Sequence, residues 1–294
     1  MSHANISVFV PHLGCPNRCS FCDQVTISGA SKQPQKSDID NAVAVALKSL
    51  KYDPENTELA FFGGSFTAID RDYMLTLLKA ANAYVKNGDI CGIRVSTRPD
   101  CIDREVLETL KNYGVTAIEL GAQSMCDDVL LANDRGHNAE AVKTSSKLIK
   151  ECGFELGLQM MTGLYKSTYE KDLLTAKEII NLQPETVRIY PSITLKNTRL
   201  AELFFKGEYI PPTLDETVDL CVKLLDMFKT AGINVIRTGL HSIDTERYVA
   251  GPWHPAFKEL CDSKQYFDKI ISLLNEKGSG SCMQPTGIGN DDVP

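Results

Sequence analysis

The sequence predicts an α/β protein whose strands and helices alternate around a parallel sheet. Three observations carry that reading: short β-rich apolar runs recur six times, amphipathic helical patterns separate them, and the unit repeats about every 30 residues, the length of a βαβ step. Such a pattern builds either an open doubly wound sheet or a full or partial barrel, and the spacing suits both. At 294 residues the chain is long enough for one large domain of this class.

The first strand is read at Ile6 to Val10 and leads into a cysteine-bearing loop. A helix is expected from Ser37, with Asp38 and Asp40 in its first turn and Ile39, Val43, Ala46, Leu47 and Leu50 along one face. Strands at Leu59 to Phe62, Ile93 to Val95, Ala117 to Leu120, Leu156 to Met160 and Val187 to Tyr190 follow, alternating with helices over 72–86, 103–112, 138–152, 168–182 and 214–231. The last helix sets Leu214, Val218, Cys221, Leu225 and Phe228 in register, and Gly114, Gly153 and Gly232 stand where helix C-caps belong. Met160 and Met161 read as core. With no long Pro/Gly/Ser linker before it, residues 1–245 are expected to form one barrel-like domain, followed by a helical extension over 246–276. The stretch 277–294, rich in Gly and turn formers, is expected to be a disordered tail.

Composition narrows the class. Hydrophobic residues at 43% and charged residues at 23% exclude a disordered, collagen-like or coiled-coil chain. No apolar run reaches membrane-spanning length, and the start MSHANISVFVPHLG lacks the basic-then-apolar order of a signal peptide, so a cytoplasmic protein with no membrane partner is expected. A formal charge of -7 leaves no overall basic footprint for nucleic acid, only room for a local groove. In a reducing compartment, tightly clustered cysteines point to metal or redox chemistry instead of disulfides.

One such cluster is present: Cys15, Cys19 and Cys22 in GCPNRCSFC, directly after the first strand. Three thiolates at CxxxCxxC spacing can converge from a loop on one metal centre. On a four-iron cluster they would leave one iron without a protein ligand. Zinc is the competing reading, since His12 lies three residues before Cys15 and would complete a closed Cys3His site. The remaining seven cysteines show no ligand spacing, and Cys152 and Cys221 read as packing residues.

The CxxxCxxC loop, with Phe21 before its last cysteine, resembles the hallmark of the radical SAM superfamily. GGSFT (63–67), STRPD (96–100), ELGAQS (119–124), RGH (135–137) and MMTGLY (160–165) follow in order. With VRIYPSITLKNTRLAELFFKGEY (187–209), these motifs resemble the radical domain of the catalytic subunit of Elongator, a tRNA-modifying enzyme. More distantly they resemble the oxygen-independent coproporphyrinogen III oxidases. The likeness covers roughly residues 5–240. It departs in a shorter gap between the first two cluster cysteines, and no acetyltransferase domain like that of the Elongator enzymes is expected within these 294 residues, so acetyl-CoA chemistry is not carried over.

The resemblance implies a partial (β/α)6 TIM-like barrel, a [4Fe-4S] cluster and S-adenosylmethionine (SAM). It further implies reductive cleavage of SAM to a 5'-deoxyadenosyl radical that abstracts hydrogen from a substrate, an electron donor such as ferredoxin or flavodoxin, and a substrate that tRNA would supply. The cluster ligands would be Cys15, Cys19 and Cys22. Gly63, Gly64 and Ser65 match the segment at the methionine amino group, Ser96 a ribose position often held by Glu, Gln123 a cofactor contact, and Arg135 the partner of the methionine carboxylate. Gln159 stands where the oxidases have an Asp that reaches the ribose, and Tyr190 and Pro191 match the segment beside adenine. An Arg suits a carboxylate because its planar fork donates two parallel hydrogen bonds. Arg188, Arg237 and His241 lie at or after late strands, as substrate-facing groups or as ordinary ion-paired residues, and His137 and His254 are unassigned. Two other readings remain: a small-molecule or tetrapyrrole enzyme of the same chemistry, or a zinc-stabilised binding module.

Overall fold

Side-chain alternation along each strand sets the architecture. In β1 (Ala4–Val10), Ile6, Val8 and Val10 are buried while Asn5, Ser7 and Phe9 point the other way and are exposed. The same two-faced pattern continues across a seven-stranded sheet, in which apolar residues meet an outer layer of helices and the concave face carries the polar ones. The computed structural model describes residues 3–10, 19–22, 32–49, 51–240, 243 and 245–278.

The sheet comprises β1, β2 (Thr57–Gly63), β3 (Gly92–Thr97), β4 (Val115–Gln123), β5 (Glu155–Thr162), β6 (Thr186–Pro191) and β8 (Asn234–Thr238), paired in that order and parallel throughout. It curls into an open half-barrel. All six expected strands are present, and β8 adds a seventh at the edge. Its sequence, NVIRT, is short and mostly solvent-facing, so it carries no apolar run to announce it.

The helices α1 (Lys36–Leu47), α2 (Arg71–Asn87), α3 (Arg104–Asn112), α5 (Ala139–Glu151), α6 (Tyr169–Leu182) and α8 (Leu214–Thr230) lie where the periodicity placed them. Side-chain oxygens of Asp70, Asp103, Asn138, Thr168 and Thr213 accept from backbone N–H groups of the first turns of α2, α3, α5, α6 and α8. Gly114, Gly153 and Gly232 take φ of 77°, 79° and 74° just past α3, α5 and α8, the left-handed conformation that ends a helix. One expectation fails in α1: Ile39 and Val43 are buried, but Leu47 is 41% exposed because the sheet covers a narrower stripe than the sequence suggested. Leu50 lies outside the described residues.

Two short helices, α4 (Asp127–Ala132) and α7 (Arg199–Phe205), escaped the periodic reading because one or two turns hold too few apolar repeats. Beyond β8, β9 (Tyr248–Ala250) pairs antiparallel with β7 (Thr194–Leu195), and α9 (Phe257–Gly278) packs on α8. Phe257 and Cys261 at the start of α9 are buried in the same core as the sheet, as is Cys221 on α8. The rest of the expected tail, 279–294, lies outside the described residues. No helix among those described is long and apolar enough to cross a membrane.

Candidate cofactor site at the mouth of the half-barrel

Parallel strands all present their C-terminal ends at one rim, so motifs far apart in sequence meet there. Gly63 ends β2 with φ 117°, and a Cβ on it would stand 2.3 Å from the Val10 carbonyl oxygen; Gly64 N–H donates to that same oxygen at 3.1 Å. Only glycine lets the turn lie this close to the end of β1, where the cysteine loop departs. Ser65 is buried. Its Oγ lies 2.8 Å from Thr97 Oγ1 and accepts from the Arg98 N–H at 3.2 Å, which ties the glycine turn to β3. Ser96 is half-buried, in register with Glu119, and its Oγ is 3.5 Å from Glu119 Oε2.

At the end of β4 the ladder slips between Gly121 and Gln123, and Gln123 takes a positive φ of 65° while nearly fully buried. A non-glycine residue held there marks a place where surrounding structure sets the backbone. The irregularity brings two of the sequence-derived residues together: Gln159 Nε2 donates to Gln123 Oε1 at 3.1 Å. Gly121 leaves the room, since a Cβ on it would lie 2.9 Å from Gln123 Nε2 and 3.4 Å from Arg135 Nη2. Tyr190 packs with Phe21 against Cys126, Met161 and Leu164, and Pro191 pairs in register with Thr162.

Cys15 and His12 lie outside the described residues. Cys19 is buried, and Cys22 N–H donates to the Cys19 carbonyl at 3.1 Å in a tight turn. The segment 19–22 is moored by Asn133: Ser20 N–H donates to the Asn133 carbonyl at 3.1 Å and Ser20 Oγ to Asn133 Oδ1 at 2.6 Å. Asn133, fully buried, also donates to the carbonyls of Val129 and Tyr165.

Arg135 reaches Cys19. Its Nη1 donates to Cys19 Sγ at 3.1 Å and its Nη2 to the Gly121 carbonyl at 2.5 Å. Behind it Arg98 donates to the Arg135 carbonyl at 2.6 Å and grips Asp100 through two bonds of 2.9 and 2.7 Å. Arg135 Nε and Arg98 Nη1 are buried without a hydrogen-bond partner. Two desolvated guanidinium groups with donors to spare beside a cysteine sulfur suit an anionic thiolate-bound centre and a carboxylate-bearing ligand, so the donor set fits an iron–sulfur cluster with an amino-acid cofactor. His137 is buried next to them, Nε2 3.3 Å from the Ala122 carbonyl, and burial together with Arg135 pushes its pKa down to about 4. His254 serves its own loop, Nδ1 accepting from the Ala256 N–H.

Below the mouth the concave face is charged. Arg188 grips Glu119 through two bonds of 2.8 Å and lies 5.1 Å from the centre of the Phe62 ring. Arg94 donates to Glu58 at 2.8 Å and Glu155 at 2.9 Å, with Glu119 at 3.6 Å. Arg188 is therefore an ion-paired residue; Arg237 lies in register beside it, and His241 is outside the described residues. The sequence reading missed Glu58, Arg94, Glu119, Arg98 and Asn133. A signal for the first three was present, a single charge inside each apolar strand run (TELAFF, GIRVST, AIELG), which a sheet with one solvated face would not need to bury.

A mouth built from strand-end motifs over a cysteine turn defines a class of protein, and the comparisons with known families agree. The family model of the radical SAM superfamily matches residues 9–179, more than half of the chain, and that of the radical SAM C-terminal domain matches 184–267. The chain belongs to the radical SAM superfamily of enzymes, whose cofactors are a [4Fe-4S] cluster and SAM. Within it, the chain is 31% identical over 199 residues to Elongator complex protein 3 of Homo sapiens, a match covering 61% of this chain and 36% of the relative. It is 25% identical over 239 residues to the tRNA uridine(34) acetyltransferase of Dehalococcoides mccartyi, covering 70% and 52%. Among solved structures, that of the archaeal Methanocaldococcus infernus Elp3 superposes with a TM-score of 0.70 at 20% identity, covering 95% of this chain and 64% of that one. The chain thus spans between about a third and a half of the curated relatives' length.

Proposed function

We propose that this protein is a radical SAM enzyme acting on tRNA in the cytoplasm. The observation that carries the reading is the convergence of Cys19, Arg135, Gln123 and Gln159 on one end of the half-barrel, in a chain similar to a tRNA uridine(34) acetyltransferase. Cys15, Cys19 and Cys22 would hold the cluster and leave one iron open to the amino-acid end of SAM. When bound, cluster and SAM together supply one-electron bond cleavage and hydrogen abstraction, fed by a donor such as ferredoxin or flavodoxin.

The chain's own residues orient and enclose. The backbone at Gly63 and Gly64, with Ser65 fixing the turn, offers a close approach to the amino group; Arg135, through its free Nε–H, meets the carboxylate. Ser96 and Gln159 serve the ribose, Gln123 holds Gln159 in place while contacting the cofactor, and Tyr190 flanks the adenine. No disulfide joins the cysteines among the described residues, which suits a reducing compartment. Acetyl transfer is not part of the proposal.

Two measurements test it. Anaerobically reconstituted, reduced protein incubated with SAM is expected to carry about four irons per chain and release 5'-deoxyadenosine. Nucleosides from tRNA of cells with and without the gene are expected to differ in one modification; identical profiles would refute tRNA as the substrate.

A further inference from the structure

The contact between Arg135 and Cys19 has a meaning separate from carboxylate binding. Hydrogen bonds to the sulfurs of a cluster and nearby charge set its reduction potential, because the reduced cluster carries one more negative charge than the oxidised one. Cys19 Sγ accepts from Arg135 Nη1 at 3.1 Å in a pocket where both residues are buried. A cation and its N–H donor so placed, out of water, act at close to full strength. Arg98 stands directly behind, bonded to the Arg135 carbonyl, and Asp100 opposes its charge through the two-pronged contact. Two cations and one carboxylate are therefore chained to the sulfur by hydrogen bonds.

We propose that Arg135 is a positioning residue that raises the reduction potential of the cluster through its hydrogen bond to Cys19, and that the Arg98–Asp100 pair sets how much positive charge stands behind it. The proposal rests on the radical SAM reading and adds to it a role for these three side chains in electron uptake. Arg135 has donors for both duties: Nη1 on the sulfur, Nε free for a cofactor carboxylate. Gly121 keeps Nη2 anchored by its carbonyl oxygen, so the guanidinium plane cannot turn away from the sulfur without losing that bond.

The test is an EPR-monitored redox titration of reconstituted protein without SAM, which separates potential from cofactor binding, preceded by iron analysis. Arg135→Gln is expected to shift the one-electron equilibrium against reduction by about tenfold, 59 mV toward negative potential, and Arg135→Lys, which keeps the cation, to recover part of it. Asp100→Asn, which touches no sulfur and removes the opposing charge, is expected to move the potential the other way. A merely structural role predicts no such opposition of sign. Loaded R135Q with an unmoved potential, or D100N moving negative, would overturn the proposal and leave the family reading intact; if R135Q does not load, the signs for R135K and D100N decide. Wild-type protein that binds no iron would instead sink the reading beneath it.

Discussion

Glu119 on β4 and Arg188 on β6 hold each other in a two-pronged pair, both bonds 2.8 Å, across an intervening strand. The residue on that strand opposite Glu119 is Gly157, and a Cβ there would stand 2.8 Å from Glu119 Cγ and 3.0 Å from Thr186 Oγ1. The pair exists because the strand between its members carries no side chain at that place.

Gly157→Ala is accordingly expected to displace Glu119 and cost about 1–3 kcal/mol, the usual effect of overpacking. Gly157 does not have a positive φ, so the cost would come from the contact and not from backbone strain. A urea titration with unchanged m-value and lowered midpoint is the expected record; a midpoint equal to the wild type would contradict the crowding.

The Glu119 and Arg188 side chains are 6% and 12% exposed, so breaking the pair from one side leaves a desolvated charge. Arg188→Met is expected to destabilise by about 3–5 kcal/mol, and the double variant with Glu119→Gln by less than the sum of the two singles. Additive effects in that double-mutant cycle would mean the two do not interact.

Two buried groups give opposite pH slopes. His137, held at about 4 against 6.5 when unfolded, adds stability that is complete above about pH 6.5 and is lost as pH falls through 4. Asp172, buried against the Gly163 N–H and Ser167 Oγ, is raised from 3.8 to about 6, so its contribution is complete below about pH 3.8 and is lost as pH rises through 6. Asp172→Asn should remove the second slope and gain on the order of 1–3 kcal/mol at pH 7 relative to pH 4. Thermal melts across pH 4–7 report it; parallel profiles for variant and wild type would rule it out.

Asn133 is the mooring of the cysteine turn, bonded to Ser20 and to the Tyr165 carbonyl. Asn133→Ala leaves buried polar groups unpaired and is expected to cost about 1–3 kcal/mol. It should also lower the iron retained per chain after gel filtration, while an unchanged iron content would show that the turn holds its shape without it.

How far the site could be read in advance depends on the kind of residue. Gly63, Gly64 and Gln123 stand in contiguous motifs at strand ends, which a parallel sheet collects at one rim. Arg135 stands in the RGH motif past a short helix, and Gln159 inside β5, one residue before MMTGLY. Asn133, inside the run ANDRGH, lies in a segment the periodic reading passed over, and its role depends on Ser20, far off in sequence. Likewise α7, apolar but only seven residues long, is too short to show a helical period, and β8 carries only two apolar residues.

What the chain's order of residues settled alone was its repeating strand and helix units, their caps and the superfamily, since apolar period, capping chemistry and motif spacing are local properties. What only folding decided was which side chains meet: Arg188 with Glu119 over 69 positions, and Arg135 with Cys19 over 116. The first follows from strand register and the absent side chain at Gly157, and a shift of one residue in that register would turn the partners to opposite faces of the sheet. The second joins two segments outside the strands, held at the irregularity beside Gly121.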